Sequence, residues 1–214
     1  MRKIDSSIDL SRHLTTIELL PRPWNAALLF GREAPLEVEV GTGKGLFLRT
    51  AAAEARDRDF LGIEISQKYA RFAAAKLAEK CRPNACIVYG DAQRVFREVL
   101  AGESVWVVHV YFPDPWWKKR HLRRRIWSES FARDVERVLA PGGTLHFWTD
   151  VESYFQQVRT LLAEHTKLAG PLDVAEQSPA HDLDYRTHYE RRTRLEQLPV
   201  FRAMWLNVPA AASQ

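Results

Sequence analysis

Between residues 36 and 165, segments of strand character and segments of helical character take strict turns, and this alternation constrains the fold more than any other feature. LEVEV (36–40), FLGIEI (60–65), ACIVY (85–89), VWVVHVYF (105–112) and TLHFWT (144–149) are short runs rich in β-branched or aromatic residues. GLFLRTAAAEAR (45–56), SQKYARFAAAKLAEK (66–80), a segment near 92–100, IWSESFARDVERVLA (126–140) and VESYFQQVRTLLAEH (151–165) are predicted helices. Ser66 is placed to cap the second of these, and Pro141-Gly142-Gly143 to stop the fourth. Such alternation builds a parallel, doubly wound α/β sheet with helices on both faces. Two more strands are expected near 171–177 and at 200–207, joined by a polar loop, which makes the sheet mostly parallel and seven-stranded. Residues 1–34 read as an arm ending in a short helix near Trp24 to Phe30, residues 35–208 as the domain, and 209–214 as a tail.

With 214 residues, 46% of them hydrophobic and 27% charged, the chain suits one domain with a substantial core. No apolar run approaches the roughly 18 residues of a membrane span. The N-terminus MRKIDSSIDLSRHLTT lacks the apolar core of a signal peptide, so a cytoplasmic protein with no membrane partner is expected. Cys81 and Cys86 do not form a CxxC pair and are expected to be two reduced, half-buried thiols. No HExxH, GxSxG or metal-ligand spacing occurs, so neither a hydrolase nor a metal site is expected, and nothing in the sequence requires a protein partner.

Charge is distributed unevenly. Thirty-one Lys and Arg against 27 Asp and Glu give +4, but Lys118 to Arg125 alone holds six positives and no acid, leaving +4 − 6 = −2 elsewhere. A concentrated patch of this kind is the footprint of a polyanion-binding surface. It follows YFPDPWW (111–117), where Trp116 and Trp117 offer either flat faces for an unstacked base or a core anchor beneath the loop.

In doubly wound sheets, ligands bind beyond the carboxyl ends of the strands. Here those ends supply Glu39 with Gly41, Gly43 and Gly45, then Glu64, Asp91 with Ala92, Asp114 between two prolines, and Asp150. The glycine loop matches neither the Walker pattern nor GxGxxG. Glu64 lies 23 residues after Gly41, about where an acid meets ribose hydroxyls. Glu39 would accept from a cationic or amine-bearing cofactor, although Glu37 shares its face and one of the two is open to being a solvated strand end. Asp91 is either a helix N-cap or an acceptor for an adenine amino group. Together these features suit a nucleoside that carries an amino acid and no phosphates, as S-adenosylmethionine does and NAD does not.

The segments EVGTGKG, GIEIS, GDA, FPDPWWKKRHLRRR, GGTLHFWTD and RTHYERR, within residues 36 to 192, resemble the tRNA (guanine-N7-)-methyltransferases of the class I, Rossmann-like, S-adenosylmethionine-dependent fold. Trp117 and Leu122 depart from the residues commoner there. The resemblance implies methylation of a variable-loop guanine in tRNA. It further implies Glu39, Glu64, Asp91 and Asp114 around the cofactor, with Asp114 catalytic. Lys118, Asp150, Thr187, His188, Tyr189 and Glu190 would meet the substrate, and Arg120, His121, Arg123, Arg124 and Arg125 would grip RNA. Which of Asp114, Asp150 and Glu190 meets the guanine edge stays open. Transfer to an exocyclic amine of another RNA, and RNA binding without catalysis, are the competing functions.

Overall fold

The computed structural model describes residues 7–116, 125–174 and 187–209. In chain order the elements are β1 (Leu14–Thr16), α1 (Ala26–Phe30), β2 (Leu36–Val40), α2 (Leu46–Glu54), β3 (Asp59–Glu64), α3 (Gln67–Glu79), β4 (Ala85–Tyr89) and α4 (Ala92–Glu98). Then come β5 (Val105–Tyr111), α5 (Glu129–Val138), β6 (Leu139–Thr149), α6 (Glu152–His165), β7 (Ala169–Leu172), α7 (His188–Leu195) and β8 (Phe201–Leu206). The strands form one sheet in the order β1-β4-β3-β2-β5-β6-β8-β7. β1 through β6 pair in parallel, while β8 runs antiparallel between β6 and β7. The chain steps outward from β2 in one direction and resumes at β5 in the other, so the switch point lies between β2 and β5.

Period-2 alternation sorts the side chains of β2 onto two cores. Val38 and Val40 face a cluster with Val95, Phe96, Phe131, Val135, Phe147 and Val158, contributed largely by α4, α5, α6 and β6. The opposite face packs Phe47 and Leu48 of α2 and Ala70, Ala73, Ala74 and Leu77 of α3 against Phe60, Ile87 and Tyr111. Alanines on α3 let it approach closely. A Cβ on Gly45 would stand 2.8 Å from the Ala73 Cβ, and with φ of +72° Gly45 is the residue that fits this corner.

The structure departs from the sequence expectations at several places. An eighth strand, β1, comes from the N-terminal arm and closes the β4 edge, and Ile17 and Leu20 of the same arm are buried in the core. Its three residues are too few to display a period. The segment before β8 is not loop throughout, since α7 lies there. α5 starts at Glu129, capped by the Ser128 hydroxyl that accepts from Phe131 N–H, and ends at Val138, so Pro141-Gly142-Gly143 falls inside β6 next to an irregular register with β5. Ser66 occupies the N-cap position of α3, but its side chain makes no capping bond. Cys86 is buried, which pushes its thiol up to about 12, whereas Cys81 is exposed; both are free. Among the described residues no helix is long and apolar enough to cross a membrane.

Candidate active site

A cleft of about 1030 Å³ opens at the carboxyl ends of β2, β3, β4 and β5. Glu39, Gly41, Gly43, Glu64, Asp91, Ala92 and Asp114 all line it, so the sheet gathers acids from four strand ends separated by up to 75 positions in sequence. Gly45 does not line the cleft; it turns the chain into α2 behind the wall. Gly41 also has a left-handed backbone, φ +76°, and a Cβ there would meet nothing within 4 Å, leaving room for a ligand to approach the main chain.

Each acid sits in a different electrostatic setting. Glu39 is 3% exposed. Burial pushes its carboxyl up to about 8; the hydrogen bond from the Thr42 hydroxyl works against that, and the nearby Glu64 carboxylate adds to it. Glu37, on the same face of β2, is no solvated strand end. It is buried between His109 Nε2, at 2.8 Å, and the Arg58 guanidinium. Burial would raise its carboxyl, but those two partners outweigh it and hold Glu37 below its ordinary value.

Glu64 is fixed by the main chain. One oxygen accepts from Gly43 N–H at 2.8 Å and the other from Ser66 N–H at 2.7 Å. Asp91 caps α4, its Oδ1 accepting from Gln93 N–H at 2.9 Å, while still lining the cleft, so capping and site duties coexist in one side chain.

At the mouth, Asp114 is exposed and flanked by two bulky residues with left-handed backbones, Phe112 at φ 48° and Trp116 at φ 40°. Such conformations cost on the order of 1–3 kcal/mol each and persist where the surroundings hold them. Phe112, Trp116, Thr187, Tyr189 and Arg192 complete the rim. Tyr189 packs on Phe112 with ring centroids 5.2 Å apart, has the Arg192 guanidinium 4.6 Å from its own centroid, and donates to Asp150 Oδ2 at 3.3 Å. Burial, then the Asp150 charge, raises its phenol.

The expected substrate residues divide accordingly. Thr187 and Tyr189 line the cleft, and Asp150 reaches it through Tyr189. Glu190 is 3% exposed and lies beside Arg194 at 3.4 Å, away from the cleft wall. Arg125 is half-buried and bonded within the protein. Lys118, Arg120, His121, Arg123, Arg124, Trp117 and Leu122, with the side chain of His188, lie outside the described residues. Thr42, Tyr69 and Arg192 were not expected at the cleft. Thr42 could have been found as the hydroxyl between two loop glycines; Arg192 follows Tyr189 by three positions, a signal only once α7 is known to be a helix.

The donor set decides which cofactor fits. Carboxylates at Glu39, Glu64 and Asp91 match the amine and hydroxyl donors of an adenosyl amino acid, and they would repel a pyrophosphate. Sheet order, glycine loop and these acids define a class I S-adenosylmethionine-dependent methyltransferase. The family model described as "Putative methyltransferase" matches residues 33–203. A tRNA (guanine-N(7)-)-methyltransferase of Rhodopirellula baltica is 45% identical over 211 residues, covering 96% of this chain and 78% of that protein. The chain belongs to the tRNA (guanine-N7-)-methyltransferase family. Among solved structures, the 16S rRNA methyltransferase KamB shares the fold at a TM-score of 0.63 and 19% identity, covering 86% of this chain and 93% of that one. A SAM dependent methyltransferase from Aquifex aeolicus does so at 0.56 and 13%, with 86% and 88% covered.

Proposed function

We infer that this enzyme methylates N7 of a variable-loop guanine in tRNA, with S-adenosylmethionine as the methyl donor. The observation that carries this reading is the placement of Asp114 at the mouth of an acid-lined cleft in a chain of this family. Glu39, Glu64 and Asp91 would hold the amino-acid, ribose and adenine ends of the donor. When bound, it supplies an electrophilic methyl group.

Guanine N7 bears a lone pair and no proton, so the protein need not supply a strong base. Its task is alignment and compensation of the positive charge that grows on the purine. Asp114 suits that task because proline on both sides and left-handed turns at Phe112 and Trp116 restrict its backbone. The inward position of Glu190 favours Asp114, or Asp150 through Tyr189, as the acceptor for the guanine N1–H and N2–H edge. Tyr189 and Trp116 offer rings for an unstacked base. The basic run supplies contacts to the tRNA backbone, and a tRNA substrate places the reaction in the cytoplasm.

Asp114→Ala is expected to cut turnover about a hundredfold or more while tRNA affinity stays within a few fold. Single-turnover rates beside binding titrations read the two quantities separately, and equal losses would argue against a catalytic Asp114. Incubation with labelled S-adenosylmethionine and unmodified tRNA transcript, followed by nucleoside mass spectrometry, tests the reaction itself. Label in N7-methylguanosine supports it; label in an amino-methylated nucleoside moves the enzyme to a different acceptor.

A further inference from the structure

Arg125 closes the basic run, where the sequence assigns it to RNA, yet its guanidinium is turned into the protein. Nε donates to the Pro115 carbonyl at 2.6 Å, and an Nη1 donates to Gln157 Oε1 on α6 at 2.8 Å. The guanidinium carbon lies over the Tyr154 ring, 5.1 Å from its centroid. Tyr154 is 1% exposed, and burial pushes its phenol up to about 12, so the ring under the cation is a neutral, fixed support. The backbone is held as well. Gln93 Nε2 donates to the Arg125 and Ile126 carbonyls, each at 3.3 Å, from the first turn of α4 beside Asp91.

Pro115 is the residue after Asp114, and the Pro115 carbonyl lies between Asp114 and the strained Trp116. A left-handed tryptophan does not hold itself; something must fix the chain around it. We propose that Arg125 is a positioning residue, a latch that ties the Asp114 loop to α6 through the Pro115 carbonyl and leaves phosphate contact to the other cations of the run. The latch joins three parts of the fold: the cofactor wall at Gln93, the loop at Pro115 and helix α6. Its chemistry needs a planar fork. The delocalised cation sits over an aromatic ring while separate N–H groups reach a carbonyl and an amide oxygen, a combination open to arginine and closed to lysine.

This inference rests on the methyl-transfer reading above, and the substitution Arg125→Lys separates it from an RNA role. Lysine keeps the charge that a phosphate contact needs and loses the fork. The latch therefore predicts a fall in kcat of roughly ten- to a hundredfold at saturating tRNA. It also predicts tRNA affinity and the slope of affinity against salt that match wild type in both Arg125→Lys and Arg125→Met. A phosphate contact predicts near-normal turnover for Arg125→Lys and, for Arg125→Met, a salt slope shallower by about 0.7–0.9. That second pattern overturns the proposal. Gln157→Ala, on α6 and outside the basic run, is expected to lower kcat several-fold without touching the salt slope. Should the Arg125 variants fail to fold, an unchanged kcat in Gln157→Ala overturns the latch instead. The binding slopes are read without turnover, so a wild-type enzyme that makes no N7-methylguanosine counts against the methyl-transfer reading, while the slopes still decide whether Arg125 meets phosphate.

Discussion

Glu37 and Glu39 stand two residues apart on one face of one strand, and their carboxyls move in opposite directions. Glu37 has a cation and an imidazole against it; Glu39, among the described residues, has the Thr42 hydroxyl and the Glu64 carboxylate. Burial takes Glu39 from an ordinary 4.5 to about 8, so between those values the folded chain keeps a proton that the unfolded chain has released. Stability from this group is therefore lost as pH rises through that window. Glu39→Gln removes the titration, and thermal melts should show the variant gaining on wild type between about pH 6 and pH 8. A ligand ammonium beside Glu39 favours the ionised carboxylate, so binding of S-adenosylmethionine near neutral pH releases a proton. Calorimetry in buffers of different ionisation enthalpy reads that proton, and a binding enthalpy indifferent to buffer would refute the pairing. The same substitution should weaken the cofactor about tenfold or more, the worth of a charge-assisted hydrogen bond. The sequence pattern put both acids on one face but could not tell them apart, because Arg58 and His109 arrive from β3's approach and from β5.

At the scale of elements, hydrophobic period made five strands and their helices legible, and it failed where burial runs against it. α7 hides Glu190 and Thr193, at 3% and 1% exposure, and shows Tyr189 and Leu195 to solvent, so its polar face is the inner one. No apolar stripe announces such a helix. Its start rests on Thr187, whose hydroxyl accepts from Glu190 N–H at 2.9 Å. Thr187→Ala should cost about 1 kcal/mol in that helix, seen as roughly fivefold faster amide exchange across α7 with little change in the global melt. If α7 exchanged as before, its first turn would be held by something other than the cap. The arm presents the opposite case, a short strand anchored by an apolar residue. Ile17 is 3% exposed, and its Cδ1 would lie 2.5 Å from a Cβ on Gly90, at the end of β4 beside Asp91. Ile17→Ala should lower unfolding stability by about 2–5 kcal/mol in denaturant titrations, and a loss below about 0.5 kcal/mol would show that the arm is not part of the core.

Across the whole molecule, residues 118–125 carry the net positive charge and the rest is slightly negative, +4 overall against −2 without them. A uniformly basic protein would attract tRNA to any face. In this one the excess of positive charge falls, in sequence, between β5 and α5, directly after the residues that form the cleft mouth. The attraction proposed to bring the polyanion is thus tied in sequence to Asp114, the carboxylate proposed to act on its base. Local concentration of charge was legible from sequence because it needs only a count. The division of labour within the run was not, because it depends on whether a guanidinium faces Pro115 or the solvent. Affinity for tRNA should fall steeply with salt, as counterions released from phosphates are bound again. Replacing Arg123 and Arg124 together by alanine should weaken binding and lower the slope of log affinity against log salt by about 1.5, two cations at roughly 0.7–0.9 each. Filter-binding titrations over a range of salt measure it. An unchanged slope would take both residues off the RNA and move the electrostatic grip to cations elsewhere on the chain, whereas a lowered slope beside an unaltered one in Arg125→Met would separate the cations that hold RNA from the one that holds the loop.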